Sequence, residues 1–151
     1  MAKGFGGAIF FLVLAAVFMP NLLDGHGRRN EASAIRSLRT INTSEVTYAS
    51  TYGKGFSPTL AVLGPPPAGD KPSAAHADLI DSVLAGGKKS RYNFVYAAGP
   101  PDKEGHIKSY SVVARPATPG VSGNRSFFTD ETGVIRATME NRPASVSDPP
   151  I

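Results

Sequence analysis

The chain has 151 residues, 41% of them hydrophobic and 19% charged, which is one domain's worth of ordinary globular composition and excludes wholesale disorder. Gly 16 and Pro 13 favour a turn-rich head containing β-structure over a helical bundle. The formal charge of +4 is carried by scattered cations, with one tight cluster at Lys88-Lys89-Ser90-Arg91, and the lack of cysteine excludes a disulfide framework or a thiolate metal site.

In chain order, Lys3-Gly4-Phe5 leads into an uncharged stretch from Phe5 to Leu23. That is close to the roughly 20 apolar residues an α-helix needs to cross a bilayer. A cleavable secretory signal would place small residues just before the cut, whereas Ala15-Ala16 is followed by Val17, Phe18, Met19 and Pro20, so a retained anchor is the expectation. Lys3 before the stretch and Asp24 after it are expected to keep the N-terminus in the cytoplasm and the head outside. Gly6 and Gly7 each lower helix preference by roughly 1 kcal/mol, and they let backbones approach closely, as small residues do where membrane helices meet.

Asp24-Gly25-His26-Gly27 reads as a flexible patch, after which Asn30 is expected to cap an amphipathic helix, with Glu31 in its first turn where the helix dipole favours an acid. Ile35, Leu38, Ile41, Val46 and Ala49 form an apolar stripe at near-helical spacing, and Arg36, Arg39, Thr40, Thr43 and Thr47 take the opposite face. Two readings of this helix stay open: an ordinary core helix, or the continuation of the apolar segment as one long spine that bends at Gly25 and Gly27. Tyr52-Gly53-Lys54-Gly55 ends it, and Gly64-Pro65-Pro66-Pro67-Ala68-Gly69 is too rigid and donor-poor for a sheet. Pro72-Ser73 is expected to open a short helix over Ala77 to Leu84, closed by Gly86-Gly87.

Strands are expected at Tyr92 to Ala97, at Ile107 to Ala114, and at Ser126 to Phe128 paired with Val134 to Thr138 across Asp130-Glu131-Thr132-Gly133. Tyr92, Phe94 and Tyr96 alternate with Asn93, Val95 and Ala97, giving the sheet one aromatic face. The implied class is α+β: a long N-terminal hydrophobic and amphipathic helix packed on a small antiparallel sheet. The division is a leader at 1–4, a hydrophobic helix at 5–23, an amphipathic spine at 24–52 and a head at 53–151 whose proline-bearing tail, from Asn141, lies loosely on the surface.

Little in the chain points to catalysis. His26, His76 and His106 are far apart and lack the i, i+4 spacing that puts two imidazoles on one helix face, so no metal site is expected. Asp130 and Glu131 suit a hairpin turn, and Asp78 and Asp81 a solvated helix face. No phosphate-cradling loop and no serine in a nucleophile elbow is present. The residues thus lead to no enzyme and no cofactor.

The succession Lys3-Gly4-Phe5, apolar run, Pro20-Asn21-Leu22-Leu23, Asn30-Glu31-Ala32-Ser33-Ala34-Ile35 and Ser37-Leu38-Arg39-Thr40-Ile41-Asn42 resembles type IV pilins and type II secretion pseudopilins. Leu79 to Ala85 and Ser126 to Arg136 look like segments of bacterial pilin-like heads. The resemblance implies cleavage by a prepilin peptidase after Gly4 and methylation of Phe5. It implies a filament core packed from Phe5, Ile9, Phe10, Phe11, Leu12 and Leu14, in a self-assembling filament built by pilus or secretion machinery. It also implies a location in the bacterial cytoplasmic membrane with the head outside, then in a periplasmic or extracellular filament. The family places a glutamate at the fifth mature position, and here that residue is Ile9. Some pseudopilins hold calcium near the end of the head, but the ligand pattern is absent. A competence-type branch would contact DNA through Lys88, Lys89 and Arg91. The rival from another class is a membrane-anchored or secreted binding module with no enzymatic role.

Overall fold

The computed structural model describes the backbone of residues 5–151 and the side chains of residues 25–151. A long helix, α1 (Phe5–Tyr52), packs on a five-stranded antiparallel sheet: β1 (Lys88–Lys89), β2 (Tyr92–Ala98), β3 (Tyr110–Pro116), β4 (Ser126–Asp130) and β5 (Arg136–Thr138). The strands lie in sequence order, each hydrogen-bonded to the next, so the sheet is a simple meander. A 3-10 turn at Ala61–Leu63 and one turn of helix, α2 (Ser82–Ala85), fill the flank between α1 and β1. The class is α+β, as the alternation and turn chemistry indicate. Among the described residues no helix is long and apolar enough to cross a membrane, and the side chains of the run 5–23 lie outside that description.

The helix runs through Gly25 and Gly27 without a break, and Asn30 sits inside it instead of capping it, donating its side-chain amide to the Ser122 carbonyl at 2.9 Å. Gly27 is buried because a loop crosses it: a Cβ there would sit 3.7 Å from the Gly123 Cα. The buried stripe of α1 is Glu31, Ala34, Leu38, Ile41, Glu45 and Tyr48, followed by half-buried Tyr52. Its alternating three- and four-residue steps keep it on one side of the helix over more than five turns. Val46, expected in the stripe, is 65% exposed, and Glu45 takes the inward position beside it.

The aromatic face of the sheet is the inner one. Tyr92 and Phe94 are buried and Tyr96 half-buried, while Asn93 and Val95 face out. Across the ladder Phe94 stands opposite Ala114, and Ala114 opposite Phe127, so a large residue meets a small one at each step. Tyr96 stacks on Tyr110 with centroids 5.7 Å apart, and Phe56 meets Tyr110 edge-on at 4.9 Å. The hydroxyls end on fixed acceptors: Tyr110 donates to Asn42, Tyr92 to the Arg125 carbonyl and Tyr48 to the Ala74 carbonyl.

Several elements differ from the sequence expectation: β1 is a strand that the sequence did not signal, and β5 starts at Arg136 instead of Val134. The second helix is confined to Ser82–Ala85, with the Asp81 side chain accepting from Leu84 N as its cap, because 72–80 instead follows the 3-10 turn through bonds such as Ala77 N to the Val62 carbonyl and Leu79 N to the Leu63 carbonyl. Ile107 falls outside β3, its carbonyl accepting from Phe56 N at 2.7 Å and thereby tying the loop after α1 to the sheet. The tail is not loose: Ala137 N donates to the Pro149 carbonyl and Ile151 N to the Ile135 carbonyl, covering the β5 edge, while Arg142 grips Asp148 through both guanidinium NH2 groups.

Candidate functional site

Gly4 and the side chains of Phe5, Ile9, Phe10, Phe11, Leu12 and Leu14 lie outside the described residues. What the structure does describe is how the head is fastened to the spine, and the fastening depends on two glutamates fourteen residues apart in the buried stripe.

Glu31 lies midway along α1, where the helix passes from the apolar run into the head. One of its oxygens accepts from the backbone N–H groups of Asn124 and Arg125 at 2.8 and 3.0 Å, and the other from Arg125 Nε at 3.0 Å. The β3–β4 loop is thereby clamped on the helix by a charge-assisted set of donors. Gly123 beside it has to be glycine, since a Cβ there would come within 2.1 Å of the Tyr92 hydroxyl.

Glu45 lies two turns before the helix ends and is 0% exposed, as is its partner Ser57. Its Oε2 accepts from Ser57 N at 2.9 Å, and its Oε1 lies 2.5 Å from Ser57 Oγ and 2.7 Å from the Tyr96 hydroxyl, which is also 2.7 Å from the Ser57 carbonyl. Three short oxygen–oxygen contacts thus share two hydroxyl hydrogens. Burial pushes the Glu45 carboxyl above its ordinary value, outweighing the lowering effect of the Ser57 and Tyr96 hydrogen bonds. No cation pairs with Glu45 among the described residues. A serine beside a carboxylate superficially suggests nucleophilic chemistry, but both are sealed from solvent, and Ser57 is held as the anchor of a loop.

Lys88, Lys89 and Arg91, through which only a competence-type branch would contact DNA, an otherwise unexpected partner, lie together at the β1–β2 hairpin and have different surroundings. Lys89 pairs with Asp81 at 2.5 Å, while Lys88 and Arg91 are exposed. Ser90 and Arg91 form the two-residue turn with φ of 51° and 60°, the left-handed pair that a tight hairpin requires, and Ser90 Oγ lies 2.7 Å from Ser33 Oγ on α1. Asp78 and Asp81 share no helix face: Asp78 sits in an irregular segment with φ of 54°, and Asp81 is the α2 cap. Asp130 lies at the β4 end, where its carboxylate accepts from Thr132 N, and Glu131 follows it in the turn. His106 lies 3.7 Å from Glu104, and His26 and His76 are exposed. Among the described residues no group of three or more His, Cys, Asp or Glu could hold a metal.

From sequence alone Glu31 is a helix-dipole acid and Glu45 carries no role. Their spacing from Ala34, Leu38, Ile41 and Tyr48 was the available signal, masked because a carboxylate is not an expected core residue. Comparison of the chain with protein-family models, with curated proteins and with solved structures gives no match.

Proposed function

We propose that the chain is a pilin-like structural subunit, inserted in the bacterial cytoplasmic membrane by its N-terminal apolar segment and then built into a filament of a type IV pilus or a type II secretion pseudopilus. The observation that carries this reading is the continuity of α1. One helix joins the apolar run to a half whose buried stripe is covered by the sheet, while the face with Arg36, Arg39, Thr43 and Thr47 stays open. A head locked to a rod by Glu31 and Glu45 moves with that rod, so packing of rods positions heads. Filament cohesion then comes from dispersion contacts of the apolar segment, with Phe5, Ile9, Phe10, Phe11, Leu12 and Leu14 in the core and Ile9 replacing the charged registration contact by packing. The partners in this reading are further copies of the chain, a prepilin peptidase acting at Gly4 and Phe5, and the assembly machinery, with no catalytic step of its own.

N-terminal sequencing of the protein from its native host tests the processing: the expected start is methylated Phe5, and a start beyond Met19 would favour the anchored or secreted binding module. Leu12→Lys or Leu14→Lys should leave the circular dichroism of the head unchanged and abolish filaments. Full-length protein that stays monodisperse both in detergent and after its removal overturns the reading.

A further inference from the structure

On the side of the sheet away from α1, the ladder sets side chains in rows. Lys88 stands opposite Asn93 and Asn93 opposite Arg115, while the next row runs Val95, Val113, Phe128. The loop after β3 borders these rows, so that Asn93, Val95, Arg115, Pro116, Ala117 and Pro119 line a hollow of about 410 Å³. Arg115 is half-buried there and uses few of its donors: Nη2 donates to Asn141 Oδ1 at 3.0 Å, and Nε is buried with no acceptor. No carboxylate pairs with it among the described residues. The carboxylates of the adjoining segments are engaged elsewhere: Asp81 holds Lys89, and Glu140, next in sequence to Asn141, is held together with Asp148 by Arg142. Exposed Lys88, one strand over from Asn93, and exposed Arg91, whose carbonyl accepts from Ala117 N, add two cations with no carboxylate partner among the described residues.

We infer that this hollow binds a carboxylate carried on an apolar body, with the carboxylate on the terminal N–H groups of Arg115 and the body against Val95 and the prolines. A guanidinium partly withdrawn from water without a counter-ion is unfavourable, and its planar fork matches a planar carboxylate through two parallel hydrogen bonds. Asn93 supplies a further amide donor from the same row. Lys88 lies two interstrand spacings of about 4.8 Å from Arg115, comparable to the screening length of about 8 Å, so it draws an anion towards the hollow without contacting it there. Val95, 65% exposed, together with Pro116, Ala117 and Pro119 offers apolar surface that an inorganic anion leaves unused. A nucleic acid strand would need cations repeated along an open track, whereas here one guanidinium stands among apolar walls. The inference is independent of the pilin reading, because the hollow belongs to the head and lies on the face that α1 leaves uncovered.

The test follows the full chain, isotope-labelled and held in uncharged maltoside micelles, by NMR during titration with benzoate, acetate or inorganic phosphate. The signals read are the backbone amides of Asn93, Val95, Arg115 and Ala117 and the Arg115 Nε–H. The expected result is a shift of these signals that saturates with benzoate, at roughly tenfold lower concentration than with acetate because of the apolar walls. Arg115→Gln should weaken benzoate binding by roughly tenfold or more, and Arg115→Lys, which keeps the charge without the fork, should fall between. Val95→Ser should weaken benzoate and leave acetate unchanged. Shifts that do not saturate, shifts that persist unaltered in Arg115→Gln, equal response to acetate and benzoate, or displacement of benzoate by a lower concentration of phosphate or duplex DNA each overturn the inference. Should Arg115→Gln fail to give a dispersed spectrum, the parent's Arg115 Nε–H decides: movement that saturates with benzoate supports the site, and an unmoved signal overturns it.

Discussion

Glu45 shows how one carboxyl can be placed in a core without a counter-ion. A glutamine fits the same site: its oxygen accepts from Ser57 N, its amide donates to Tyr96 and Ser57 Oγ, and those hydroxyls turn to the Ser57 and Thr59 carbonyls. Glu45→Gln should therefore unfold within about 1 kcal/mol of the parent at neutral pH, whereas Glu45→Ala strands the buried Ser57 N–H and costs roughly 1 to 3 kcal/mol. The sign of the pH effect follows from the direction of the shift. The native carboxyl titrates above its ordinary value of 4.5, so the stability it contributes is present below that pH and is lost as pH rises through the native value. Urea unfolding across the mildly acidic range should show the parent weakening with rising pH and Glu45→Gln losing that slope; identical slopes would rule out a protonated Glu45. At Arg91 the backbone conformation is costly for any residue with a Cβ, by roughly 1 to 2 kcal/mol, so Arg91→Gly should raise the thermal midpoint even though it removes a surface charge. None of this was visible in the residues alone, because burial of Glu45 depends on Ser57 and Tyr96 arriving from other elements.

At the scale of elements, four of the five strands were legible, whereas β1, the starts of β3 and β5 and the ends of the helices were not. Tyr92, Phe94 and Tyr96 alternate so cleanly that the face and the start of β2 follow from period two, and Asp130-Glu131-Thr132-Gly133 marks its turn through Gly133, with φ of 76°. Gly25 and Gly27 read as a break because glycine lowers helix preference by about 1 kcal/mol each, yet the helix continues, since contacts of its neighbours outweigh that cost. Nothing lies within 4 Å of a Cβ built at Gly25, so Gly25→Ala should stabilise the protein by roughly 0.5 to 1 kcal/mol in chemical unfolding. A loss of stability instead would mean that the spine bends there in solution. The short α2 was overextended because Pro72, Ser73 and the alanines resemble a helix start, whereas hydrogen bonds from Ala77, Leu79 and Ile80 to the 62–63 carbonyls compete successfully for that backbone.

For the whole molecule, a rod, a meander sheet and a tail are joined by side chains that reach across long stretches of sequence. The tail illustrates this: proline and polar residues suggest a loose end, but Arg142 holds Asp148 well below the usual carboxylate range, and Arg136 donates to the Asp148 carbonyl. A lowered carboxyl contributes stability that is lost as pH falls, so Asp148→Asn should lower the thermal midpoint at neutral pH and lose that difference in acid. Hydrogen exchange at Ala137 and Ile151 should quicken in the variant. The α+β class and the aromatic face of the sheet were already legible in the residues, because periodicity and turn chemistry are local and survive without a fold. Only the folded chain made Glu31 and Glu45 core residues and laid the tail along the sheet edge. Each of these depends on groups up to ninety-four residues apart becoming neighbours, and no local pattern encodes such a meeting.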